Sequence, residues 1–234
     1  MTQPLFANAP SIWPVDAPRA VLIGRVWLPG TRTSTGPVRV QPDGVYDLSA
    51  LAPTCSELLE LPDAAQRVRA LAAPRLADMA TVLAASHPDH ANDHALRLLA
   101  PLDLQAIKAA GVTFVASMLE RVIEERARGD AAQAEVARQA VVAVMGDDLS
   151  QVRPGSPQAA HLKSVLLAQG MWSPYLEVGI GPDAEIFTKA PCLSAVGWGS
   201  EVGIHPQSEW NNPESEIVLA VNSRGETVGA SLGN

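Results

Sequence analysis

The pattern of apolar and polar positions changes character along the chain. Residues 1–18 are rich in proline and alanine without a period, which predicts a loose arm. Ala20-Val21-Leu22-Ile23-Gly24-Arg25-Val26-Trp27-Leu28 is a short apolar run and predicts a strand. Val38-Arg39-Val40 alternates, and Pro42-Asp43-Gly44 turns the chain back into Val45-Tyr46-Asp47-Leu48, so a small β module is expected. Ser56 to Leu61 and Ala64 to Ala84 read as helices.

After a polar stretch from Ser86 to Asp93, Gly111-Val112-Thr113-Phe114-Val115 reads as a short buried strand. Ser117 to Arg128 is amphipathic, with Arg121–Glu125 and Glu124–Arg128 four residues apart, and predicts a helix ending at Gly129. An Ala/Val helix follows to Gly146. Ser156-Pro157 is an N-cap followed by a first-turn proline, and its helix is expected to run to Gly170. From Trp172 onward strands and glycine loops are expected, with strands at Tyr175–Ile180 and Glu185–Lys189. Between Ser194 and Ser200, Gly197 and Gly199 would let backbone approach a ligand, or would make a tight turn around a half-buried Trp198.

The last segment carries the most chemistry. Glu214 and Glu216 lead into the apolar run Ile217-Val218-Leu219-Ala220-Val221, and in a strand positions i and i+2 share a face. Two carboxylates side by side repel unless a positive charge sits between them. A hard cation such as Mg²⁺, or Mn²⁺, takes oxygen ligands of this kind. The alternative is a pair of solvated glutamates on an edge strand. Asn222-Ser223-Arg224-Gly225 predicts a turn into Thr227-Val228-Gly229-Ala230-Ser231-Leu232. With Val221 opposite Glu226, Glu216 would face Ser231 and Glu214 would face Gly233. His87, His90 and His94 lie close in sequence, but Pro88 and Asn92 break any helix that would align them, so a solvated linker is expected.

Composition narrows the classes. With 234 residues, 47 % of them hydrophobic, the chain can bury a core. A net charge of −8 argues against a nucleic-acid partner. No apolar run is long enough for a membrane span, and the N-terminus lacks the pattern of a signal peptide. Cys55 and Cys192 make neither a disulfide framework nor a zinc cluster. A cytoplasmic protein without membrane contact is expected.

These segments, in this order, resemble the fumarylacetoacetate hydrolase superfamily. The resemblance runs through the strand containing Gly111, Phe187-Thr188-Lys189-Ala190-Pro191, Glu214-x-Glu216 and Val228-Gly229-Ala230-Ser231-Leu232-Gly233-Asn234. It is closest to the 2-keto-3-deoxy-D-pentonate dehydratase branch through Gln105 to Asp130, Trp172 to Lys189 and Trp210 to Glu216. The resemblance implies an α+β protein: a small β-containing domain over residues 1–97, then part of a mostly β catalytic domain over residues 98–234, with a helical insertion near residues 117–171. It also implies Mg²⁺ held by Glu214, Glu216 and an aspartate that would follow Asn234. Residues 1–234 would then resemble only the first part of such an enzyme, with little activity of their own, and the complete protein would be a homo-oligomer acting on a small 2-keto acid.

The resemblance further implies Glu185 as the base for C3 and Lys189 as a substrate-facing ammonium. The superfamily's hydrolases activate water with a His–Glu dyad. Here Ser117 stands in place of the histidine, with Glu120 retained. Serine is no general base near neutral pH without a base beside it, so dehydration is expected rather than C–C hydrolysis. Ser117 would bind a substrate hydroxyl or cap the helix that follows it. Two other classes stay open: a C–C hydrolase of acylpyruvates or 2,4-diketo acids, and a non-catalytic interaction module.

Overall fold

The structure is a computed structural model that describes residues 13–30, 35–87, 89, 94–111, 120, 122–123, 127, 130–145, 152–168, 170–183, 185–208 and 215–234. It mixes helices with antiparallel sheets. The chain divides into two compact units, Met1–Ala106 with Ala190–Asn234, and Ile107–Lys189.

In the first unit β1 (Leu22–Trp27), β2 (Thr35–Gln41), β3 (Gly44–Asp47), β4 (Arg75–Ala77) and β5 (Arg97–Leu99) form one sheet in the order β4-β3-β2-β1-β5. Helices α1 (Cys55–Glu60), α2 (Ala64–Ala70) and α3 (Met79–Ala85) cover it. The period of two decides which residue meets which helix. Val26, Val38 and Val45 pack with Met79, Val82 and Leu83 of α3, joined by Val40 and Leu98. The intervening positions Val21 and Ile23 pack with Leu58 of α1 and Val68 of α2. Arg39, also on that second face, donates from Nη1 to the Val68 and Leu71 carbonyls, meeting the open C-terminal end of α2. The sequence predicts one helix from Ala64 to Ala84. The structure instead ends α2 at Ala70 and inserts β4, because Pro74 disfavours a helical residue before it and cannot donate within a helix.

The second unit holds β6 (Ile107–Ala110), β7 (Ile186–Ala190, whose last residue lies beyond the unit's border), α4 (Ala131–Met145), α5 (Pro157–Ala168) and α6 (Pro174–Ile180). Its core joins Val122, Val152, Leu162, Leu166, Leu176 and Ile180. The strand expected at Tyr175–Ile180 is a helix. Ser173 caps it by accepting from the Leu176 N–H, and Pro174 fills the first turn, the arrangement also read at Ser156-Pro157. Glu120, Val122, Ile123 and Ala127 are helical. The strand expected at Val112–Val115, and the rest of the helix expected from Ser117 to Arg128, lie outside the described residues.

β8 (Glu216–Val221) and β9 (Thr227–Gly233) form the expected hairpin, in another register. Val221 faces Thr227 rather than Glu226, and Glu216 faces Gly233 rather than Ser231. Asn222 causes the first step. Its Oδ1 accepts from the N–H groups of Arg224 and Glu226, which draws Glu226 into the turn. A bulge between Ala220 and Val221 adds the second step. A shift of two preserves the faces, so Glu216 stays on the side its spacing predicts. No helix among the described residues is long and apolar enough to cross a membrane.

Candidate functional site

β7 carries two of the expected site residues. The Gly111 N–H donates to the Glu185 carbonyl at 2.9 Å, and Lys108 Nζ donates to Thr188 Oγ1 at 2.6 Å. These two contacts set β6 and β7 side by side, running in opposite directions. The strand period puts Glu185, Phe187 and Lys189 on one face, and Lys108 with Thr188 on the other. Glu185 and Lys189 are exposed. Four residues of strand separate their backbones by roughly 13 Å at about 3.3 Å per residue.

Glu216 opens β8 in the other unit and is exposed. Glu214 and Ser117 lie outside the described residues. Among the described residues, no three His, Cys, Asp or Glu side chains gather as a metal-binding group, and Glu216 is the one member of the expected ligand pair that is described. Its donor chemistry suits a hard cation: a solvent-facing carboxylate with no competing partner among the described residues.

Other carboxylates are already engaged. Glu120 accepts from Arg138 Nε at 3.0 Å and Nη2 at 2.7 Å, which holds its carboxyl below the usual range. This ties its helix to α4 and gives Glu120 a structural task. Glu177 accepts from Lys163 Nζ at 2.5 Å and Trp172 Nε1 at 3.1 Å, and the lysine is the main cause of its lowered pKa. Asp103 is buried, which pushes its carboxyl up. Hydrogen bonds from the Ser56 hydroxyl and from the N–H groups of Leu104, Cys55 and Ser56 outweigh that and leave it lowered. Glu60 accepts from Ser223 Oγ and N, and Glu226 from Asn222 and Arg224. In contrast, Glu185, Lys189 and Glu216 make no side-chain hydrogen bond or ion pair among the described residues.

The glycine loop approaches backbone. A Cβ at Gly197 would lie 2.7 Å from the Leu98 carbonyl oxygen and from the Leu99 Cα, so this glycine lets the loop press on β5. The Ser200 N–H donates back to Gly197, which is the tight-turn reading. His87 accepts from the Asp89 N–H through Nδ1, and His90 lies outside the described residues. Sequence reasoning missed Lys108 and Asp103. The partner of Lys108 is 80 residues away along the chain and the α1 partners of Asp103 are 47 and 48 away, and no local pattern reports such a pairing.

No protein-family model, no curated protein and no solved structure matches this chain.

Proposed function

We propose that the chain carries the substrate-facing groups of a cytoplasmic, homo-oligomeric Mg²⁺-dependent dehydratase of 2-keto-3-deoxypentonates. The observation that supports this reading is the freedom of Glu185, Lys189 and Glu216: all three are exposed and make no side-chain hydrogen bond or ion pair among the described residues, while Glu120, Glu177 and Asp103 are tied up in ion pairs and a cap. Glu214 and Glu216 would hold the cation. When bound, the cation polarises a 2-keto acid and favours its enolate. Lys189 pairs with the substrate carboxylate. Glu185 removes the proton from C3, and the C4 hydroxyl leaves as water after taking up a proton. A proton shift from C5 to C3 then gives the C4=C5 enol, and transfer of its hydroxyl proton to C4 yields 2-oxoglutarate semialdehyde. Ser117 hydrogen-bonds a substrate hydroxyl.

The test uses protein expressed from the whole reading frame, incubated with both C4 epimers of 2-keto-3-deoxypentonate, with Mg²⁺ and with EDTA. Semialdehyde is expected with Mg²⁺ alone. Glu216→Gln is expected to abolish it, and Glu185→Gln to lower kcat about 10²–10⁴-fold, the usual span for a general base. Full activity in Glu216→Gln would overturn the metal assignment. Cleavage of acetylpyruvate without dehydration would replace the reading with the C–C hydrolase.

A further inference from the structure

Glu185, the base in the proposed reaction, is seated against a residue that has no side chain. The Gly111 N–H donates to the Glu185 carbonyl, so the two residues are cross-strand neighbours at the end of β6. A Cβ built on Gly111 would lie 3.2 Å from Glu185 Oε2 and 3.3 Å from Glu185 Cβ. The same Cβ would lie 2.1 Å from Val178 Cγ1 of α6. Gly111 is not among the glycines with a left-handed backbone, so the demand for glycine here comes from space and not from conformation. The Val178 methyl already occupies the space where that Cβ would stand, and Glu185 borders it through Oε2 and Cβ. Filling it displaces Val178 and presses Glu185 back by a few tenths of an ångström.

We infer that Gly111 is a positioning residue for Glu185: with no side chain of its own, it takes the Val178 methyl of α6 and leaves room for the Glu185 side chain to lie against it. This rests on the proposed reading for what Glu185 does there, and on the geometry alone for where Glu185 sits. A purely structural glycine would be needed only to clear Val178. A positioning glycine is needed for Glu185 as well, and removing the Val178 collision separates the two.

The experiment compares wild type, Val178→Ala and Gly111→Ala/Val178→Ala. The Glu185 carboxyl carbon is followed by NMR at constant pH, with its signal assigned from Glu185→Gln. The double variant is expected to fold with a urea midpoint near that of Val178→Ala, while the Glu185 signal moves away from its position in Val178→Ala. Superimposable Glu185 signals in the two variants would overturn the inference. If the double variant does not fold, Glu185→Ala is added to it. Recovery of the fold supports the contact between residues 111 and 185, and failure to recover overturns it. Activity is read separately. With dehydratase activity present, kcat in the double variant is expected to fall with little change in KM, as for a base pushed off its productive position. A moved Glu185 signal in a protein without dehydratase activity would leave the contact intact and sink the base role alone.

Discussion

At the scale of single residues, environment separates side chains of the same type. Cys55 is buried at the start of α1, and burial together with the nearby Asp103 carboxylate pushes its thiol up to about 12. Cys192 is exposed and its Sγ donates to the Leu104 carbonyl. The thiolate is the reactive form, and access controls the rate. A disulfide-exchange reagent at pH 8 is therefore expected to label Cys192 rapidly and Cys55 only after unfolding in guanidinium. Rapid labelling of Cys55 in the native protein would contradict its burial. The carboxylates sort in the same way. The strand that Glu216 opens was legible from the apolar run after it, because a strand's pattern is local. The engagement of Glu120 was not legible, because Arg138 is 18 residues further along and reaches it only once two helices pack.

At the scale of elements, caps and turns decided what the apolar pattern left open. Leu176, Val178 and Ile180 alternate like a strand, yet Ser173 and Pro174 start a helix there. The β8–β9 hairpin formed as the pattern predicts, and the side-chain chemistry of Asn222 moved its register. Its turn is docked on α1 through Glu60, which accepts from Ser223 N at 2.6 Å and Oγ at 2.8 Å and lies near Arg224. The Ser223 hydroxyl and N–H, followed by Arg224, hold the Glu60 carboxyl below its ordinary value. A carboxyl with a lowered folded pKa stabilises the docked form above its unfolded pKa of about 4.3, and this contribution is lost as pH falls through the folded value. Docking is thus expected to be unchanged from pH 8 to 5 and to loosen in stronger acid. Amide exchange at Ser223, corrected for intrinsic rate, measures it. In Glu60→Gln the acid dependence should shrink to the part that Glu226 contributes through Asn222 and Arg224. Along the strands, Ile217, Leu219 and Leu232 share the face opposite Glu216 and are exposed, with Ile217 at 76 %.

At the scale of the whole molecule, the apolar side chains gather into separate clusters. Val26, Val38 and Val45 centre one, Leu48 and Leu58 a second, and Leu162 and Leu176 a third within Ile107–Lys189. These clusters share no member, so a cavity in one is felt first by its own neighbours. Leu162→Ala removes a fully buried side chain and is expected to cost about 2–5 kcal/mol in its unit. Hydrogen exchange should show protection falling in α5 and α6 and persisting in β1 and β2. Equal loss in both places would mean that the chain unfolds as one cooperative body.

The sequence by itself determined the elements whose signals are local: the β module, the Ser156-Pro157 helix, the hairpin and the side of β8 that bears Glu216. Each follows from a period, a cap or a turn within a few residues, where sterics and hydrogen bonds act at short range. Tertiary structure alone decided the hairpin's attachment to α1, the buried Asp103 that caps α1 from 47 and 48 positions away, and the close approach of Val178 and Glu185 to Gly111. It also decided which carboxylates pair with structural partners, as Glu120 does with Arg138 and Glu177 with Lys163. An ion pair or a close approach depends on distance in space, and that distance exists only after the elements have packed.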